Sequence, residues 1–404
     1  PSLSEISLFM TTADSPAGRA GQSLPSSQDL VILGGGIMGL WAALKADRLG
    51  IPTLLLDAGT LASGASGGLL GALMAHVPDR WSEKKQFQFT ALVSLETEIA
   101  RLEFETGLSS GYRRSGRLIP LPKPHLRDIA LRHQQDAREN WASAGHDFAW
   151  DVLEPDAVPA LDPAFTGAGV IHETLAGRVS PRALMAVLAA RLRASPTVRI
   201  VEGVPARRID AAENRVVLAD GTAVAFGHCI VAAGPSSFPL LDELGGGAPR
   251  SLGRPVKGQA ALLTADIDPA HPIIFLNGLY VVPHDDGLVA IGSTSEEEFD
   301  APFATDGKLD DLLERARQLV PALRQAEVVE RWAGLRPKAI GRDPMVGPHL
   351  GHPSIIALTG GFKVSFGIAH RLADAALCAM AGQAMEVPEA FTFESHLRLA
   401  AQPG

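Results

Sequence analysis

The feature that most narrows what this chain can become is a short run near its start, Val31-Ile32-Leu33-Gly34-Gly35-Gly36-Ile37-Met38-Gly39. An apolar, β-branched stretch runs into three glycines at G-x-G-x-x-G spacing. An amphipathic segment comes next, and a second apolar run, Thr53-Leu54-Leu55-Leu56, ends on Asp57. Strand, glycine turn, helix, strand and acid together spell a βαβ dinucleotide-binding fingerprint, whereas the glycines alone would be no more than a flexible turn. Gly34 allows the tight turn off the strand, Gly36 lets the backbone approach a pyrophosphate, and Gly39 lets the helix pack close on the sheet. The helix from about Ile37, with Met38 in its first turn, offers free N–H groups and a positive end to the phosphates. Asp57 arrives at roughly the 20-residue spacing that brings a carboxylate to a ribose hydroxyl.

The stretch after Asp57 adds a second signal. Residues 58–71 are nearly all tiny, among them Ala58, Ser63, Ala65, Ser66, Gly67 and Gly68, with Leu69 behind them. A linker would look similar, but directly after a dinucleotide βαβ unit such a run reads as a loop wrapping the pyrophosphate and flavin end of FAD.

Composition bounds the rest. The chain has 404 residues, 46% of them hydrophobic, enough for two or three domains with sizeable cores. A net charge of −9 without basic clusters gives no positive face for nucleic acid or anionic membrane. Cys229 and Cys378 lie in apolar runs with no metal-ligand or C-x-x-C spacing, so neither a metal nor a redox role is assigned and a reducing, cytoplasmic compartment is expected. No apolar run is long enough for a membrane span. Residues 1–28 lack the apolar core of a signal peptide and read as a flexible extension.

Further along, apolar spacing predicts a long helix over 82–105, a strand over 112–122, and a helix over 124–145 with Gly145 as its stop. A proline-rich crossing is expected over 153–163, then a helix over 180–194 capped by Ser180. Short strands lead into a buried one that ends at Ala233 and Gly234, beside a ligand. Alternating strands from 253 to 292 imply a second, antiparallel sheet, and a last helix begins near 365 after Thr359-Gly360-Gly361. The expected class is α/β: a Rossmann-like FAD-binding domain with a second α+β substrate domain built on a mostly antiparallel sheet. The first would be discontinuous, from 29–115, 175–245 and 335–400; the second would comprise 116–174 and 246–334.

In sequence order, the turn of Gly34 to Asp57, the loop 63–71, Ala232-Ala233-Gly234, Pro255-Val256-Lys257-Gly258-Gln259, Tyr280-Val281-Val282-Pro283, Trp332-Ala333-Gly334-Leu335-Arg336-Pro337 and Gly361-Phe362-Lys363 resemble the glycine oxidase, sarcosine oxidase and D-amino acid oxidase superfamily. The resemblance spans nearly all of the chain after Gln28. It implies that Arg336 holds the substrate carboxylate, as in glycine oxidase, that Tyr280 belongs to the same pocket, and that Lys363 meets the carboxylate, as in sarcosine oxidase. It further implies cofactor contacts from Val204, Ala233, Gly234, Arg336, Gly361, Phe362 and Lys363. The two carboxylate patterns are mixed, and no cysteine stands near Arg336 and Pro337 where some sarcosine oxidases attach their flavin, so the resemblance implies a non-covalent FAD.

The expected function is oxidation of the C–N bond of a small amino acid, of glycine, sarcosine or D-amino acid type, to an imine by hydride transfer to flavin, with oxygen or another electron acceptor completing the cycle. A 2-hydroxy acid dehydrogenase on the same scaffold and a flavoprotein electron-relay or assembly subunit are the alternatives. A homo-oligomer stays open. A structural arginine pinning a sheet edge is the plain alternative for Arg336. Lys257 reads equally as facing the flavin or as a solvent-exposed strand lysine, His284 as a surface residue, and Asp343 as a turn-former or part of a loop near the flavin.

Overall fold

The computed structural model describes residues 24–143, 146–245 and 249–403. Most of the expected N-terminal extension, and the expected helix stop at Gly145, lie outside these. The first strand, Ser27–Leu33, begins inside the stretch read as an extension. Its inner half is buried on both faces, which is why its sequence reads as continuously apolar rather than alternating. It pairs in parallel with Thr53–Leu56 on one side and Ala223–Val231 on the other. Val198–Val201 and His352–Thr359 extend the parallel array outward. Met345–His349 adds an antiparallel edge, and the hairpin Ala206–Asp210 with Arg215–Leu218 pairs antiparallel to the outer half of Ala223–Val231.

Period-two alternation divides the first strand between two cores. Leu30 and Ile32 face the helices, whereas Val31 and Leu33 face the hairpin side with Phe226, Phe238 and Phe393. The first helix, Ile37–Arg48, is not amphipathic as expected. Leu40, Trp41, Ala42, Ala43 and Leu44 are all fully buried, because sheet and neighbouring helices surround it. The helix Glu83–Thr106 is capped by Ser82 and ended by Gly107 in the left-handed region, close to the expected bounds.

The second sheet has eight strands among the described residues. In order they are Glu327–Ala339, Gly253–Thr264, Leu288–Gly292, Leu279–Pro283, Ile273–Leu276, Arg117–Pro120, Val170–Glu173 and Trp150–Leu153. Only the Ile273–Leu276 and Arg117–Pro120 pair is parallel. The strand expected over 112–122 is thus four residues long, entered through Gly116 at φ +74°. The helix Pro124–Asn140 stops short of the expected bound, at Trp141. One face of this sheet, through Val281 and Ile291, packs on Leu309, Leu312 and Leu313 of the helix Gly307–Leu319. The other face, through Val282, Ala290 and Ala260, covers Leu69 of the small-residue loop. Glu327–Ala339 crosses the 334/335 junction expected between domains.

The glycine turn sets the distance between helix and sheet. A Cβ on Gly39 would lie 1.8 Å from the Gly34 carbonyl oxygen, and one on Gly34, at φ +107°, 2.4 Å from that of Ala232. Gly39→Ala is therefore expected to cost about 1–3 kcal/mol by overpacking. Gly307→Ala, which meets nothing within 4 Å, is the matched control. Chemical denaturation of both checks this; equal midpoints would contradict it.

Candidate active site

At the carboxyl ends of the parallel strands, where open α/β sheets bind ligands, a continuous cavity of about 720 Å³ opens between the two sheets. Its near end is built by short-range geometry. Gly34 donates to the Leu56 carbonyl at 2.8 Å, closing the turn. The Asp57 carboxylate accepts the Gly35 N–H at 2.6 Å and the Gly59 N–H at 2.8 Å, which fixes it at the cavity wall. Ser66 Oγ accepts the Ile37 N–H at 2.9 Å and ties the small-residue loop over the helix N-terminus. Gly64 and Gly234 also line the wall, and a Cβ on either would meet no protein atom within 4 Å.

The far end is built by strand register. Tyr280 pairs with Gly292, Gly292 with Ala260, and Ala260 with Trp332, so one row carries an aromatic at each end and two tiny residues between them. Leu70 reaches into this trough, 3.2 Å from a Cβ on Gly292. Two residues on from Trp332 along the same face, Gly334 makes room for the Trp332 ring, and two further stands Arg336. The guanidinium lies over Gly258, where a Cβ would come within 1.9 Å of Nη1, and Nη1 donates to the Thr294 carbonyl at 3.1 Å. Lys363 follows Phe362, itself at φ +44°, on a turn whose Phe362 N–H donates to the Pro337 carbonyl at 3.2 Å.

Electrostatically this end is unbalanced. Neither Arg336 nor Lys363 has a carboxylate oxygen within 4.0 Å among the described residues. The nearby Glu296 is taken by Lys308, Gln259 and Thr294 at 2.7, 2.9 and 2.6 Å. Burial pushes the Arg336 guanidinium down to about 10, with Tyr280 and Glu296 pulling the other way, so it stays charged at neutral pH. Burial, then the Arg336 charge, lowers Lys363, and burial raises the Tyr280 phenol. The only acid among the described lining residues is Asp57, at the near end. The arrangement seats an elongated ligand along the glycine turn and an anion against two cations.

A profile described as FAD dependent oxidoreductase matches residues 29–375. The chain belongs to that family. The residues present fit the cofactor: tiny residues along the near wall, a helix N-terminus aimed at it, and a fixed carboxylate at the second strand's end. This FAD-dependent oxidoreductase is 31% identical over 354 residues to the glycine oxidase of Pseudomonas putida, covering 83% of this chain and 90% of that one. Its fold is that of the glycine oxidase from Geobacillus kaustophilus, with TM-score 0.79 and 23% identity over 91% of this chain and 99% of that one. It is equally that of iminodiacetate oxidase from Chelativorans sp. BNC1, with TM-score 0.78 and 22% identity over 90% and 98%.

In this oxidoreductase the cavity wall gathers nearly all of the expected site residues: Gly34, Gly36, Ile37, Met38, Asp57, Ala58, Ser63, Ala65, Ser66, Gly68, Leu69, Val204, Ala233, Gly234, Tyr280, Arg336, Gly361, Phe362 and Lys363. Gly39 and Gly67 stand behind it. Gly39 is pressed on Gly34, and the Gly67 carbonyl accepts from Arg182 Nε at 2.9 Å. Lys257 faces neither cavity nor solvent: it is buried with Nζ 3.2 Å from Asp306. Its register explains this, because Val256 and Gly258 share the face of Arg336 and Lys257 takes the opposite one. His284 is no surface residue; it is buried under the loop, Nε2 against the Leu69 carbonyl at 3.2 Å. Asp343 pairs with Lys84 at 2.6 Å outside the cavity. Sequence reading left Trp332 and Phe303 out of the site, although the period of two from Arg336 was a usable signal for Trp332.

Gly258→Ala is expected to displace the guanidinium and weaken binding of a small carboxylate about tenfold, the equivalent of about 1.4 kcal/mol. Carboxylate affinity is expected to fall as pH rises through the lowered Lys363 pKa, below the usual 10.5, because the ammonium adds positive charge at this end of the cavity. Calorimetric titration of the holoenzyme across pH checks both. A profile flat through pH 10.5 would contradict the second.

Proposed function

We propose that this enzyme oxidises the C–N bond of a small amino acid to an imine, which water then converts to an oxo acid. The observation that carries the reading is the Arg336 guanidinium in the far wall of the cavity with the more exposed Lys363 ammonium at the same end, neither with a carboxylate oxygen within 4.0 Å among the described residues. Similarity to glycine oxidases supports it. FAD, when bound, accepts the hydride. A non-covalent attachment is supported by the positions of Cys229 and Cys378, neither of which lines the cavity. Both thiols are free, as a cytoplasmic setting would leave them.

The chain's own residues bind and orient. Arg336 grips the substrate carboxylate in two-pronged fashion from its seat on Gly258, and Lys363 adds a second positive charge. Tyr280 and Trp332 wall the trough and exclude water. With no acid among the described lining residues at this end and two cations present, the substrate amine is held neutral, the form whose nitrogen lone pair can close a C=N bond. The helix Ser365–Met380 points its N-terminus at the same end and favours negative charge there. We assign 29–115, 175–245 and 335–400 to the cofactor unit and 116–174 and 246–334 to the substrate unit. Oxygen or another acceptor would take the electrons.

Anaerobic mixing with glycine, sarcosine, D-amino acids and 2-hydroxy acids is expected to bleach the flavin with an amino acid and not with a hydroxy acid. Bleaching by none of the amino acids would sink the reading. Arg336→Ala is expected to lower kcat/KM on the order of a hundredfold or more, because breaking a buried charge contact costs roughly 3–5 kcal/mol. Near wild-type kcat/KM would return Arg336 to a purely structural role. Acid precipitation is expected to leave the flavin in the supernatant, whereas a coloured pellet would reveal a covalent link.

A further inference from the structure

The strands Gly253–Thr264 and Leu288–Gly292 pair in register as far as Ala260 with Gly292. Pairing resumes where Lys257 and Glu296 exchange two backbone hydrogen bonds, both at 2.9 Å. Between those pairs lie Gly258 and Gln259 on one side and Ser293, Thr294 and Ser295 on the other, so an extra residue is inserted and the ladder bulges. Within the bulge the Thr294 N–H still donates to the Gln259 carbonyl, at 3.3 Å. The return bond is different: the Gln259 N–H donates to Thr294 Oγ1, at 2.9 Å, instead of to the Thr294 carbonyl. The hydroxyl thus stands in for the carbonyl of its own residue. Freed from the ladder, that carbonyl accepts Arg336 Nη1 at 3.1 Å.

The hydroxyl is locked in this substitution. Its proton goes to Glu296 Oε1 at 2.6 Å, and Gln259 Nε2 donates to the same oxygen at 2.9 Å. Lys308 Nζ holds the other carboxylate oxygen at 2.7 Å. Gln259 and Glu296 are buried, and neither they nor Thr294 line the cavity, although the adjoining Ser293 does. We infer that Thr294 is a positioning residue for Arg336: its hydroxyl takes over the ladder bond and releases the carbonyl that fixes the guanidinium over Gly258. The consequence for substrate binding rests on the reading of Arg336 as the carboxylate seat. A buried N–H left unpaired is costly, so without the hydroxyl the Gln259 N–H recaptures the Thr294 carbonyl, as in an unbroken ladder, and the guanidinium loses the acceptor that aims it.

Two variants of the FAD-loaded protein separate this role from mere packing. Thr294→Val keeps the branched shape and drops the hydroxyl; Thr294→Ser keeps the hydroxyl. Each is examined by crystallography and by calorimetric binding of methylthioacetate, a carboxylate that cannot form an imine, with flavin content confirmed. In Thr294→Val the guanidinium is expected to leave the Thr294 carbonyl position and the methylthioacetate Kd to rise about tenfold. Thr294→Ser is expected to bind within about twofold of the wild type. In an Arg336→Ala background Thr294→Val is expected to cost no further affinity, because its effect passes through the guanidinium. A guanidinium unmoved in the valine variant, a serine variant as weak as the valine one, or the same loss repeated in the Arg336→Ala background would overturn the inference and leave amine oxidation intact. A displaced guanidinium with methylthioacetate affinity unchanged would instead uphold the role of Thr294 and overturn Arg336 as the carboxylate seat.

Discussion

The Arg336 guanidinium lies in the cavity wall with no carboxylate oxygen within 4.0 Å among the described residues, and much of the second sheet serves to hold it there. An isolated buried charge is unfavourable by several kcal/mol, and it persists only where the surrounding structure over-determines its position. Arg336 is held by a strand paired along its length with Gly253–Thr264, by a glycine that leaves space for the guanidinium, and by one backbone carbonyl. The carboxylate that would neutralise it, Glu296, is held in a network with Lys308, Thr294 and Gln259. The fold thus keeps a binding site charged by occupying its acids elsewhere.

The same principle links the two ends of the cavity. At the near end the acid is retained and oriented by two backbone N–H groups, at the first turn of a helix whose positive end faces the same space. At the far end the acids are withdrawn. The near end suits the ribose hydroxyls of a dinucleotide cofactor, and the proposed reading sets a carboxylate substrate against the positive far end. The bridge from Arg182 to the Gly67 carbonyl and to Glu330 at 2.6 Å fastens the cofactor loop to the second sheet.

How much of this was legible in the sequence depends on distance along the chain. Gly39 pressed on Gly34 and Asp57 bonded to Gly35 act within one βαβ unit, so their spacing sufficed, although Gly34 is also packed on Ala232 and Gly36 on Ser66 from outside it. The second sheet was legible as alternating strands, but its register was not. Lys257 and Gly258 are neighbours in sequence, yet the pairing of Val256 with Arg336 sends the lysine to Asp306 and leaves the glycine beneath the guanidinium. His284 looked exposed because it abuts a turn; long-range packing against Leu69 buries it. Trp332 belongs to a legible motif, but its place in the site depends on which face of a long strand meets the loop. The first helix misled in the opposite direction, since a segment covered on all sides carries no amphipathic stripe.

The most direct test of the central claim is a crystal structure of the FAD-loaded protein with methylthioacetate bound. The ligand's carboxylate is expected at hydrogen-bonding distance, about 2.7–2.9 Å, from the Arg336 guanidinium, with the flavin ring beside it in the same cavity. A carboxylate seated away from Arg336, or a flavin ring outside that cavity, would contradict it.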